Sequence, residues 1–562
     1  MTLRGLLRML GAYGVVLLVA CLAVQSHASL SAVAPSAQRV VESRWSEGRL
    51  LERRIFTTGD AAAVGLPPNG AATTTVDEVV VAEGPLSLSP LSFPYALVPG
   101  RDGVMVEVDG KTAWVTADDL LAAQAYDHAS TFLDPSLGFG THQATVMHLL
   151  STQLGLTPAE IHARARARRV RFERHVVGEP VVPRVSASTL DRAVVKEAVF
   201  EAAAYVARGV DADGRYRYLV DAITNQTLGG YNWPRHAGTT YFLAQASALS
   251  DDPDLRAACL RAAARLRDDM MTDCGTNRCI AADNEADVGS SALALLAFVE
   301  VVRTGLDESY RIAIGELATF LRSQERPDGE LMHLYDRAAK KPIDIQLLYY
   351  TGEASLALAR AYRVTRSPRD LEAASRALAR LAGKGWSFFG SRYYFSEEHW
   401  TCQAVAELWE RKPDREALAF CLRWHEYQRR LQQGVGESPL DAEGAFTFGP
   451  FITPRTTPAS SRGEAAGAAL EVMQHDANAG TSDPADHART VALLDEELRR
   501  AIAFVLRAQL RPGPRHLFAR PDAVRGALPG SAVDLQLRID YVQHAGSMMV
   551  RWLAMTADDR PR

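Results

Sequence analysis

From Asp191 onward, apolar residues recur at helical spacing in about twelve segments, which begin near Asp191, Pro234, Pro253, Val288, Asp307, Thr351, Arg369, His399, Asp414, Ser460, Thr490 and Asp540. Alternate segments are built from small residues, as in Ala465-Ala466-Gly467-Ala468-Ala469. The connections also alternate. Ser250–Pro253, Thr304–Asp307, Thr365–Pro368 and Arg411–Asp414 are tight, whereas the others run to about 13–30 residues, beyond the usual few. Tight turns therefore fall on one face and long loops on the other, and sites gather on loops held by a rigid scaffold.

Six polar clusters sit at or just ahead of the small-residue segments. They are Tyr231–Thr240, Asn284–Ser291, Tyr350–Ser355, Glu397–Trp400, Ser460–Ala465 and Asp540–Ser547. Arg235-His236-Ala237-Gly238-Thr239 is echoed by Gln543-His544-Ala545-Gly546-Ser547. A second echo pairs Leu321-Arg322-Ser323-Gln324 with Leu506-Arg507-Ala508-Gln509. Self-similarity between paired helices indicates a repeat architecture. If the clusters share one end of a helix ring, their ionisable groups converge beside helix N-termini, where unpaired N–H groups and a partial positive charge favour anions and hydroxyls.

The texture before residue 190 differs. Glu78–Ala82 and Gly103–Val115 read as strands, the second folding back at Asp109-Gly110. Helices follow over Ala117–Ala125 and His142–Leu154, and Thr157-Pro158-Ala159-Glu160 carries the Thr, Pro and Glu of a helix start. Residues 76–185 are read as a small α+β domain, 29–75 as a linker, and 190–556 as the helical domain. Residues 1–28 read as an export signal: Arg4 and Arg8, an apolar run from Leu10 to Val24, then Ser26-His27-Ala28. Leu18-Val19-Ala20-Cys21 resembles a lipobox, so cleavage after Ala28, lipidation at Cys21 and an uncleaved anchor stay open. Each places the body outside the cytoplasm, in the periplasm or cell envelope, with membrane attachment through the signal or a lipid.

The net charge of −5 is spread among interspersed acids and bases, without the basic stripe of a nucleic-acid binder. Cys274 and Cys279 flank a Gly/Asn-rich loop and read as a local disulfide; Cys259, Cys402 and Cys421 read as small core residues. No P-loop, Gly-x-Ser-x-Gly elbow or His-Glu-x-x-His site occurs, and neither a metal nor a cofactor is expected.

With paired helices, small-residue alternate segments and Leu-x-x-Gln helix ends, the chain resembles the (α/α)6 toroid of the six-hairpin glycosidase-like class over residues 190–556. Tyr350–Thr365 is similar to the repeat of that class. The resemblance is architectural. It implies a mostly α fold, an (α/α)6 toroid of about six hairpins behind the α+β domain. The class includes unsaturated glucuronyl hydrolases, N-acylglucosamine 2-epimerases and polysaccharide lyases, so the chain is expected to act on carbohydrate by acid/base chemistry.

Two solutions fit the clusters. Glycoside hydrolysis needs two carboxyls across the bond, for which Glu398 with Asp540 or Glu353 are candidates. Epimerisation needs two bases near neutral pKa, for which His236 with His399 or His544 are candidates. Arg235, Arg455 and Arg462 could fork onto a carboxylate, Trp233, Tyr350 and Trp400 could stack on sugar rings, and Asp287 and Glu464 could bind substrate or cap helices. A non-catalytic glycan-binding or polysaccharide-assembly lipoprotein is the alternative from another class.

Overall fold

The computed structural model describes residues 30–556 except 59–65, 67–72, 91, 127–139, 181–182, 283, 384–398, 437–440, 448–452, 481–482 and 512–513, and a few positions between 11 and 18. Cys21 and Glu398 lie outside the described residues. Among the described residues no helix is long and apolar enough to cross a membrane.

The N-terminal part is an antiparallel sheet. β1 (Arg39–Ser46), β2 (Arg49–Thr57), β3 (Thr74–Pro85), β4 (Asp102–Val108), β5 (Lys111–Val115) and β6 (Arg166–Val176) lie in the order β2-β1-β3-β6-β4-β5. β1, β2 and the short strand Ser31–Ala32, which pairs with β3, fall inside the stretch read as linker, which therefore supplies three strands of the sheet. Trp45, Val40 and Val41 on β1 are buried; strand formation here comes from burying those side chains against β3, a tertiary gain that the Ser/Ala-rich neighbourhood hides. Three short helices accompany the sheet, α1 (Ala117–Ala122), α2 (Gln143–Leu154) and α3 (Pro158–Arg164). Capping boxes at Thr116/Asp119 and Thr157/Glu160 start α1 and α3.

Twelve helices follow: α4 (Arg192–Arg208), α5 (Trp233–Ser247), α6 (Pro253–Ala264), α7 (Val288–Arg303), α8 (Arg311–Ser323), α9 (Tyr350–Thr365), α10 (Pro368–Gly383), α11 (His399–Trp409), α12 (Arg415–Gln428), α13 (Thr456–His475), α14 (Pro484–Ala508) and α15 (Ile539–Met555). α5, α7, α9, α11, α13 and α15 each pack on the next, and α15 packs back on α5, so six helices form a closed inner ring. The other six lie outside it, and α4, first in sequence, pairs with α15, last in sequence. This is the (α/α)6 toroid.

The inner helices are small-residue segments because they are covered on nearly every side. On α7 almost the whole run from Val288 to Val302 is buried, whereas the outer α10 buries one stripe. Two seams require glycine. A Cβ on Gly463 would stand 2.1 Å from Met548 Sδ, and one on Gly546 would stand 2.1 Å from the Phe242 ring. The first lets α13 close on α15, and the second lets α15 close on α5.

Cys274 and Cys279 are bonded across a hairpin, as their spacing predicts. Cys402 and Cys421 also form a disulfide, tying α11 to α12, rather than packing as separate thiols; their distance in sequence conceals a Cα separation of 5.7 Å. The sheet and the ring share buried contacts: His516 Nε2 lies 2.6 Å from Asp118 Oδ2, and Gln124 Nε2 donates to Asp221 at 2.7 Å.

Candidate functional site

The inner helices start at one mouth, where a cavity of about 410 Å³ opens, a size typical of small-molecule sites. Its wall contains His399, His544, Glu353, Asp540 and four arginines, Arg235, Arg455, Arg462 and Arg538.

α11, α13 and α15 supply the histidine chemistry. His544 Nδ1 lies 2.7 Å from Glu464 Oε2. With Nδ1–H donating to the carboxylate, Nε2 is left as a base, the arrangement by which a carboxylate fixes an imidazole tautomer. Glu464 is buried behind the histidine. Burial raises its carboxyl above the ordinary range, opposed by the charge of His544 and its hydrogen bond. The Gly463–Met548 contact, one residue away, sets this approach. The His399 ring sits 5.3 Å from that of His544 at 75°. Neither His399 nitrogen has a hydrogen-bond partner among the described residues. Burial, then the charges of His544 and Arg462, push its pKa well below the usual histidine value, so the ring is neutral. Trp400 packs on His399 at 4.7 Å, and Tyr349 stands 6.0 Å away. Tyr349 has φ +76° at the start of α9, a conformation costing about 1–3 kcal/mol for a non-glycine residue and characteristic of sites.

His399, Glu464 and His544 also offer ligand atoms within 4.8 Å of one another. A tetrahedral zinc with bonds of about 2.0–2.1 Å holds its ligands roughly 3.3 Å apart, and the His544–Glu464 pair at 2.7 Å is already inside that spacing.

The carboxylates divide into two states. Asp540, in the first turn of α15, accepts from Arg538 Nε and Nη2 at 2.5 and 2.9 Å, with Arg235 Nε at 3.3 Å. Burial alone would raise its pKa, but these cations and His544 hold it below the usual carboxylate range. Glu353, on α9, has Oε2 buried without a partner among the described residues. Burial and then the charge of Asp287 push it well above the ordinary value, so it is a neutral acid. The near approach of α7 creates that environment: a Cβ on Gly289 would stand 2.8 Å from Glu353 Oε2.

Several expected residues are not brought to this wall. His236 is fully buried in α5, with Nε2 3.0 Å from the Ala262 carbonyl and Nδ1 2.6 Å from the Tyr231 hydroxyl. Burial lowers its pKa to about 4. Both nitrogens are used, and its ring packs among Tyr216, Tyr231 and Trp233. Trp233 belongs to that aromatic packing and does not line the cavity. Asp287 caps α7, accepting from the Ser290 N–H and hydroxyl at 2.6 Å each. Tyr350, Trp400, Arg235, Arg455 and Arg462 do line the cavity. Asn232 caps α5 by accepting from the Arg235 N–H at 3.1 Å, which places Arg235 at the mouth. Arg455 is held by Asp534 at 2.9 Å and Tyr541 at 3.2 Å, and Arg462 Nε donates to Gln428 at 2.7 Å.

Sequence reasoning missed Arg538, Tyr541 and Gln543 as lining residues. The Arg-x-Asp spacing of Arg538 and Asp540 at a helix start was the available signal. Tyr541 and Gln543 belong to the Asp540–Ser547 cluster, and Gln543 to its echo of Arg235, but residue type alone gave neither a role.

No protein-family model matches the chain, and no curated protein matches it. Solved structures do match. One is a D-mannose isomerase, at 12% identity and a TM-score of 0.49, covering 64% of this chain and 98% of that one. Another is a cellobiose 2-epimerase from Bacillus thermoamylovorans B4167, at 10% identity and 0.47, covering 65% and 100%. A family 76 glycoside hydrolase from a bovine Bacteroides thetaiotaomicron strain, at 9% identity and 0.46, covers 93% and 94%. Each is a similarity of chain path.

Proposed function

We propose that this protein is a sugar isomerase or epimerase that moves a proton on and off a carbon beside a carbonyl. The observation that carries the reading is the His544–Glu464 pair at 2.7 Å with the neutral His399 ring beside it. His544 Nε2 takes the proton from carbon, and the resulting imidazolium is stabilised by Glu464. Electrons from the broken C–H bond pass to the carbonyl oxygen, toward a mouth ringed by helix N-termini and guanidiniums that favours the developing enolate. His399 shuttles a proton between neighbouring substrate atoms. A base on each side of one carbon, each at about 3–3.5 Å, needs a separation of about 6–7 Å. Ring centroids 5.3 Å apart suit transfer along one side of the sugar better, and Trp400 and Tyr350 give it apolar surface.

Glycoside hydrolysis is the second reading. It draws on the neutral Glu353 and the ionised Asp540, whose environments drive their pKa values apart as an acid and a base require. Asp540, however, is already engaged by Arg538 and Arg235, which makes it a poor nucleophile or base. We also propose an exported location, supported by the Cys274–Cys279 and Cys402–Cys421 disulfides, which persist in oxidising compartments.

Incubation of the full chain with reducing sugars in deuterated water tests the reading. Deuterium should enter at the carbon beside the carbonyl and be lost in His544→Ala. Release of new reducing ends from oligosaccharides, without exchange, would select hydrolysis instead; glycan binding with neither product would select the non-catalytic role.

A further inference from the structure

Three side chains at the cavity wall come together as electron-pair donors. His399 opens α11, Glu464 lies on α13 and His544 on α15, helices that follow one another around the inner ring. One nitrogen or oxygen from each lies within 4.8 Å of the others, and no other three such side chains meet this way among the described residues. Buried polar atoms are nearly always paired, and each exception calls for an explanation. Here both nitrogens of His399 and Oε1 of Glu464 are buried without a hydrogen-bond partner among the described residues. His399 is 3% exposed and Glu464 1%. Glu464 Oε2 is accounted for by His544 Nδ1 at 2.7 Å. A neutral imidazole keeps one lone pair. The lone pair of His399 and Oε1 of Glu464 therefore have nothing to accept from within the protein.

Two imidazoles and one carboxylate make up the donor set of an open zinc site, whose fourth position is left to water or substrate. The cavity supplies that position, since His399 and His544 both line it. Side-chain movements bring the atoms to ligand spacing. An ion seated between His544 Nδ1 and Glu464 opens that pair from 2.7 Å to roughly 3.3 Å, and the widest spacing closes by at most roughly 1.5 Å. With Nδ1 on the ion, the N–H of His544 moves to Nε2, and the ring is no longer a base. Glu464 supplies one negative charge, and Asp540 lies on the same wall. The Arg462 guanidinium on that wall opposes a cation, so the affinity falls below that of a four-ligand structural site.

We propose that His399, Glu464 and His544 form a binding site for a divalent transition ion of the zinc class, and that this ion competes with the substrate proton for the imidazole lone pairs. The competition rests on the base role proposed above for His544; the site itself does not.

The full chain, stripped by a chelator and dialysed, is titrated with zinc chloride against a chromophoric chelator, and separately with cobalt(II) chloride. One equivalent of zinc should bind at about 10 µM or tighter, and cobalt should show the intense visible bands of a four-coordinate site. His399→Ala and Glu464→Gln should each weaken zinc at least about tenfold. Glu464→Gln keeps an acceptor for the His544 N–H, and circular dichroism identical to the parent's shows that each variant is folded. Binding weaker than about 10 µM, or equal affinity in a folded Glu464→Gln variant, overturns the site. In the deuterium-exchange assay, zinc should stop exchange in proportion to its occupancy, and chelator should restore it. Exchange that ignores bound zinc overturns the competition. Exchange that bound zinc accelerates overturns both the competition and the His544 base, with the site left standing. Zinc binding without exchange in any state would keep the site and sink the isomerase reading, and exchange without zinc binding would do the reverse.

Discussion

Two arcs of the inner ring begin with similar polar clusters and put them to different use. Along α11, α13 and α15 the clusters face the cavity as His399, Arg462 with Glu464 behind it, and His544. Along α5, α7 and α9 much of the same chemistry is consumed by the scaffold. His236 bonds Ala262 and Tyr231, and Asp287 caps α7; Glu353 reaches the cavity as a neutral acid. The near-literal echo around His236 and His544 makes the point. His236 is the fourth residue of α5 and His544 the sixth of α15. Their surroundings differ: His236 is enclosed against Ala262 and Tyr231, and His544 lines the cavity. The echoed glycines agree: Gly238 faces Gln543 of α15, and Gly546 faces Phe242 of α5. The repeat therefore marks the seam where the ring closes, and a motif shared by two helices does not give them one role.

The sharpest break of this comparison is a pair of histidine substitutions. His544→Ala should reduce turnover in the deuterium-exchange assay by about 10²–10⁴-fold, the usual contribution of a positioned acid/base, with His399→Ala falling in the same range. His236→Ala should leave kcat within about twofold while costing about 2–3 kcal/mol of stability in urea, since it empties a buried site and removes one hydrogen-bond partner each from the Ala262 carbonyl and the Tyr231 hydroxyl. Equal losses of kcat in all three would merge the arcs. The seam comes next. Gly546→Ala should destabilise by about 1–3 kcal/mol through overpacking on the Phe242 ring, and Gly238→Ala by less, because Gln543 can swing away.

The smallest expected effect lies in pH dependence. Glu353 has a raised pKa in the fold, so its contribution is complete below about pH 4.5, the unfolded value, and is lost as pH rises through the folded pKa. Glu353→Gln should flatten that decline, leaving the variant about 1 kcal/mol more stable than the parent near pH 8. The histidines act in the opposite sense. His236 and His399 are held neutral, so stability falls as pH drops from about 6.5 toward the folded value of about 4 at His236. Thermal melts from pH 4 to pH 8 on the parent, His236→Ala and Glu353→Gln would resolve both trends.

Much of the ring was legible in the sequence. The starts of the segments from Pro234, Pro253, Val288, Thr351, Arg369, His399 and Asp414 fall within a residue or so of the observed helices, because helical periodicity and capping residues are local signals. The alternation of short and long connections assigned the helices to two layers. β1 and β2 were not legible, since a strand in a Ser/Ala-rich stretch is stabilised by partners far along the chain. The Cys402–Cys421 bond was hidden for the same reason.

The sequence by itself determined the helices, their order, the end at which polar groups collect and the residue types available there. Tertiary structure alone decided which of those groups share a cavity and in what protonation state. That depends on helix rotation and on the approach distances fixed at Gly289, Gly463 and Gly546. Burial and neighbouring charge then make Glu353 an acid, Asp540 an anion and His399 a neutral ring, because a charge's cost depends on the solvent and partners around it rather than on its own residue type.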